Sequence, residues 1–166
     1  AMLTCILSDT LEFRSPTTTP EDEAIAKALA KDLGIDIAEY AASMFAAKSD
    51  VSSFSEAELL RMDSKEYEVG GKQFRVSVLE TTSPKSVLDR KDALMAAMPG
   101  VATEDGADQV LLFVVDILNE EATMLIPNEL SKTVAEKSFG ASVSGDTVVL
   151  PGIMSRKKQI IPNLKV

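Results

Sequence analysis

The chain has 166 residues and a formal net charge of −9, from 26 acidic and 17 basic side chains, with no histidine. That length suits one ordinary domain, and 45% hydrophobic residues are enough for a core, so a disordered chain is not expected. The acidic balance argues against a nucleic-acid binder, and the missing histidines remove the commonest general base and transition-metal ligand.

The opening AMLTCILSDT is apolar with no cap or charged start. It reads as the end of a helix or strand, cut through a larger protein. It lacks the basic flank of a signal peptide and is too short to span a membrane. Cys5 is the only cysteine, which rules out an internal disulfide and fits a reducing, cytoplasmic setting. LEFRSPTTTPEDE is a loop or linker rich in Ser, Thr and Pro. Thr19 then serves as a helix N-cap, with Pro20 at the first helical position, Asp22 three residues after the cap and Gly34 as the stop. Ile25, Leu29 and Leu33 recur every four residues and predict the apolar face of that helix. A second helix runs from about Asp36 through IAEYAASMFAAK, and a short third follows Ser55 with EAELL as its body.

KEYEVGGKQFRVSVLE reads as a β-hairpin, because Gly70-Gly71 supplies the positive φ of a tight turn. Phe74, Val76 and Val78 alternate with polar residues and predict a buried face. Lys65 is in phase with Tyr67 and Val69. Either it lies at the strand's end facing a cleft, or the strand begins one residue later and Lys65 is solvated. Ser83 and Pro84 open a helix that closes near Pro99-Gly100, followed by a polar loop, GVATEDGAD. QVLLFVVDIL and EATMLIP form a second hairpin around Asn119-Glu120. A helix follows from about Glu129 to Ser138, with Gly140 as its stop, and DTVVL is a last strand. Strands interleaved with helices and hairpins predict an α/β (α+β-like) fold: one domain with a mixed sheet flanked by helices.

Three segments carry candidate chemistry. In GIMSRKKQIIPNL, a planar Arg156 fork beside Lys157 and Lys158 suits a phosphate, while a solvated turn is the plainer reading of the same cations. Asp9, where an element ends, is either a ligand for a hard cation or a cap. Asp36, Asp50 and Asp63 look like caps and turn formers, and Asp116 like a satisfied buried carboxylate. No Walker-type loop, HExxH or CxxC occurs, and no Ser triad can be built without histidine.

Together ILSDTLEFRSPTTTPED, LLRMDSKEYEVGGKQFRVSVLET and GIMSRKKQIIPNL, in this order, resemble the C-terminal part of the manganese-dependent (family II) inorganic pyrophosphatases, over nearly the whole chain. The resemblance implies residues 1–12 as a remnant of an N-terminal DHH domain, 13–20 as a linker, and 21–166 as the DHH-associated domain that clamps pyrophosphate. It implies Asp9 as a metal ligand and Lys65, Arg156 and Lys157 as contacts to the substrate phosphates. It gives no direct role to Ser155, Lys158 or Gln159. Manganese, with Mg2+ or Co2+ as substitutes, is the implied cofactor of the full-length enzyme, with no metal held tightly by these residues alone. The implied reaction is metal-assisted hydrolysis of pyrophosphate, and this chain by itself is expected to be inactive. Implied partners are pyrophosphate or phosphate and the DHH domain of the same polypeptide; a homodimer is left open, and neither nucleic acid nor membrane is expected. The alternatives are an exopolyphosphatase-like relative and a non-catalytic phosphate- or nucleotide-binding module.

Overall fold

A computed structural model describes residues 1–166. Seven helices, α1 (Met2–Thr10), α2 (Pro20–Leu33), α3 (Ile37–Lys48), α4 (Glu56–Met62), α5 (Pro84–Leu88), α6 (Lys91–Glu104) and α7 (Glu129–Phe139), surround five strands. The strands are β1 (Ser64–Val69), β2 (Lys72–Thr81), β3 (Gln109–Asp116), β4 (Glu121–Leu125) and β5 (Thr147–Pro151), and they lie in the order β1-β2-β3-β4-β5. Hairpin chemistry accounts for two neighbouring pairs. Gly70 and Gly71 adopt φ of 60° and 76°, which turns the chain in two residues and sets Val69 opposite Lys72. At the other hairpin the Asp116 carboxylate accepts hydrogen bonds from the Leu118 and Asn119 amides and from Asn119 Nδ2, so it is buried but satisfied. Only β2 and β3 run parallel, because α5 and α6 carry the chain across one face between them. The sheet is therefore mixed.

Helices cover both faces. Every residue of β3 is buried, and its side chains alternate between two cores. Leu111, Phe113 and Val115 meet apolar residues of α1, α2, α3 and α7, whereas Val110, Leu112 and Val114 meet those of α4, α5 and α6. Leu3, Leu7 and Leu11 place the first helix within the larger core. No helix is long and apolar enough to cross a membrane.

Local capping agrees with the expectations. Thr19 and Asp22 form a reciprocal capping box on α2, Ser55 and Glu58 do the same on α4, and Asp36 caps α3. Three expectations fail where tertiary packing overrides local pattern. The buried face of α2 is Ala26 and Ala30, while Ile25 and Leu33 are 40% and 61% exposed. The two alanines let α2 approach its neighbours closely, and the larger residues flank that seam. The segment after Pro84 is two helices, because Arg90 turns back across the break to Glu56 and to the Val51 and Phe54 carbonyls. Finally, α6 continues through Pro99 and Gly100, so the GVATEDGAD loop shrinks to its last residues. Proline inside a helix removes one hydrogen bond and costs about 3 kcal/mol. Burying Leu94, Met98, Val101 and Ala102 along one face outweighs that cost.

The outer face of β2 is tied down by charge. Arg61 of α4 donates to both oxygens of Asp105 at the end of α6, and Arg75 Nε lies 2.6 Å from Asp105 Oδ2. The Arg75 contact is off the N–H axis, hence an ion pair rather than a hydrogen bond. The Arg61 hydrogen bonds, with the charge of Arg75, hold the Asp105 carboxyl below its ordinary pKa. A group depressed on folding contributes stability above its unfolded pKa and loses it as pH falls through the folded one. Urea denaturation is therefore expected to show Asp105→Asn destabilised relative to wild type near pH 7, with the gap closing well below pH 4. A pH-independent gap would assign the effect to shape rather than charge.

Candidate functional site

Asp9, Lys65, Arg156 and Lys157 come from three separate parts of the chain and line one cavity of about 490 Å³. Asp9 arrives on the last turn of α1. After it, Leu11, Glu12 and Phe13 all take left-handed φ, of 50°, 52° and 68°, an arrangement costing on the order of 1 kcal/mol or more per residue. The reversal brings Ser15 and Thr17 to the cavity, where Thr17 Oγ1 donates to the Asp9 carbonyl at 3.1 Å. Lys65 is the second residue of β1, is exposed and lines the cavity, so the strand does include it and it faces the cleft.

The basic segment is a π-helical turn, Arg156–Ile160, followed by a 3-10 turn. Widened turns of this kind concentrate at functional sites. Residues left without a role by the sequence hold it in shape. Ser155 Oγ accepts from the Lys158 amide; Gln159 Oε1 accepts from the Met154 and Ser155 amides at 2.8 and 2.9 Å, and its Nε2 donates to the Gly152 carbonyl at 2.7 Å. Lys158 turns away from the cavity and donates to the Pro16 carbonyl, tying the first loop to this turn. The sequence offers only a weak cue to Gln159, a polar residue between three cations and two isoleucines. Replacing Gln159 with alanine strands two amides and one carbonyl and is expected to cost about 1–3 kcal/mol, read as a lowered denaturation midpoint.

Charge in the cavity is balanced by pairs. Arg156 meets Asp63 at 2.7 Å, and Glu80, also in the lining, is held by Lys48 at 2.7 Å. Lys65 and Lys157 have no acidic partner. The lining as a whole, Asp9, Asp63 and Glu80 against Lys65, Arg156 and Lys157, sums to zero, a neutral spot with two unpaired ammonium groups on an otherwise acidic molecule. Asp63, read from sequence as a cap or turn former, does end α4 but also holds Arg156.

Asp9 is the only lining carboxylate without a cationic partner, and no group of three or more His, Cys, Asp or Glu side chains converges anywhere in the chain. A hard divalent cation takes about six oxygen ligands, so these residues fit manganese as one ligand of a larger set, not as the whole of it.

A three-layer α/β domain with a half-open cavity of paired and unpaired charges is the class of protein these features define. Residues 42–166 match the DHHA2 domain, and the chain belongs to that family. It is 44% identical over 99% of its length to a Deinococcus radiodurans protein named "Probable manganese-dependent inorganic pyrophosphatase", covering 54% of that relative. Against the manganese-dependent inorganic pyrophosphatase of Bacillus subtilis it is 38% identical over 98% of its length, covering 52% of that protein. The crystal structure of a Methanococcus jannaschii protein assigned to the family II inorganic pyrophosphatases superposes with a TM-score of 0.83 and 34% identity, over 97% of this chain and 52% of that one. The chain thus spans about half the length of the relatives it matches.

Proposed function

We propose that this chain is the substrate-gripping half of a manganese-dependent inorganic pyrophosphatase, with Lys65, Arg156 and Lys157 binding the phosphate groups and Asp9 donating one metal ligand. The observation that carries this reading is the convergence of those four residues, up to 148 positions apart, on one cavity. The greater length of the relatives supports a DHH domain in the same complete polypeptide. On this reading residues 1–12 are a remnant of its last element, 13–20 the linker and 21–166 the gripping domain.

Phosphoryl transfer leaves little covalent work for side chains; positioning and charge stabilisation do most of it. Lys65 and Lys157 offer free ammonium groups that draw a phosphate anion into the cavity. Arg156 offers a planar fork that fixes the orientation of one phosphate and stabilises charge that grows there in the transition state. Manganese supplies Lewis-acid chemistry, through a ligand set to which this chain contributes one carboxylate.

The test is a pyrophosphate titration of the 166-residue chain followed by amide NMR. Shifts are expected at residues 9, 65 and 155–159, and they should weaken in Lys65→Ala and Lys157→Ala. Shifts scattered elsewhere, or identical behaviour of wild type and both variants, would defeat the reading. Stronger shifts with long polyphosphate than with pyrophosphate would redirect the substrate. Manganese-dependent pyrophosphate turnover by this chain alone would show that it is more than a half-site.

A further inference from the structure

We propose that Asp63 is a positioning residue for Arg156, holding its guanidinium so that one edge stays free for a phosphate group; the proposal rests on the pyrophosphate reading above. Asp63 ends α4 just before β1 and lies 93 positions from Arg156. Two of its oxygens meet the arginine: Nη2 donates to Oδ1 at 2.7 Å and Nη1 to the backbone carbonyl at 2.8 Å. The same carbonyl accepts from the Val78 amide, so the acceptor pair is anchored to the sheet rather than to a loose turn. Both contacts occupy the outer end of the guanidinium fork. Nε and its neighbouring Nη2 hydrogen keep no protein partner, and those two form the edge best suited to a bidentate phosphate contact. The Arg156 side chain is only 15% exposed and lines the cavity.

Two effects of Asp63 oppose each other. Its negative charge repels an incoming anion, but the carboxylate is 53% exposed and much of that repulsion is screened by water. Its hydrogen bonds remove the rotational freedom of a long side chain before the ligand arrives, so that less is lost on binding. Fixing the geometry is local and unscreened, and it wins.

The experiment is a pyrophosphate titration of the 166-residue chain as wild type, Asp63→Ala, Asp63→Asn, Arg156→Ala and Asp63→Ala/Arg156→Ala. Asp63→Ala is expected to weaken binding about tenfold, with Asp63→Asn intermediate because its amide oxygen still accepts. In the Arg156→Ala background the Asp63 substitution should no longer weaken binding and should restore a little of it, because the carboxylate there lacks its cation, whereas a merely structural role would weaken binding in both backgrounds. The 15N signal of Arg156 Nη2 should report slow rotation in wild type and faster rotation in Asp63→Ala, while Nη1 keeps its Asp63 and Val76 backbone carbonyls in both. Asp63→Asn, which keeps the shape of the helix end, carries the same test if the alanine variant unfolds. Unchanged or tighter binding by the Asp63 variants, with Arg156→Ala still weakened, overturns the positioning role and leaves the pyrophosphate reading standing. No loss of binding in Arg156→Ala instead defeats that reading, and this proposal with it.

Discussion

Replacing Arg156 with alanine is expected to weaken pyrophosphate binding by about 2–3 kcal/mol, roughly 30- to 150-fold in Kd. The size follows from its surroundings. Lys65 and Lys157 are exposed, so their attraction is screened and each alone should matter less. Arg156 is mostly buried, and its free edge acts at close range with a fixed direction. The substitution also leaves the Asp63 carboxylate without its cation beside the cavity, which adds repulsion to the lost contact. Arg156→Lys should recover little, because one ammonium cannot span both Asp63 oxygens and still face a ligand. Calorimetric titration at two salt concentrations would check both statements: the Arg156 effect should persist at high salt, and the lysine effects should shrink. An Arg156→Ala loss no larger than that of Lys65→Ala would refute the ranking.

Phe113→Ala is expected to be the most destabilising single change, at about 3–5 kcal/mol. Phe113 is fully buried in the central strand, opposite Val78 on one side and Met124 on the other. Its ring meets Phe139 of α7 edge-on, with centroids 5.9 Å apart at 78°. Total stability of a domain is about 5–15 kcal/mol, so this loss alone brings the chain near unfolding at ordinary temperature. Phe139 is only half-buried, so Phe139→Ala should cost less. A double-mutant cycle should give a coupling of about 0.5–1.5 kcal/mol, the usual worth of an aromatic pair. Denaturant midpoints of the four proteins decide it, and additive losses would mean that the rings are neighbours without interacting.

Elements whose causes are local are legible from sequence. Thr19-Pro20-Asp22 and Ser55-Glu58 satisfy helix-end amides within one turn, and Gly70-Gly71 alone can take the two left-handed positions of its hairpin. The run of six apolar residues in β3, Val110 to Val115, already points to burial on both faces. The site residues stand differently. Charge density marks the segment around Arg156, but whether it is a solvated turn or a cavity wall depends on what lies opposite, and the sequence pattern leaves both readings open. The left-handed turn at Leu11, Glu12 and Phe13 contains no glycine or asparagine, so nothing local announces it.

Range is the physical reason for the division. Capping, turn geometry and strand alternation act over a few residues and can be read from spacing. The side of α2 that is buried depends on which neighbours fit Ala26 and Ala30, and the passage of α6 through Pro99 depends on how much apolar surface the sheet offers it. The same holds for the cavity: Asp63 and Arg156 meet only because α4, β1 and the C-terminal turn are brought to one edge of the sheet. Ion pairs across 93 residues leave no spacing signal, since any carboxylate could have been the partner until packing selects one.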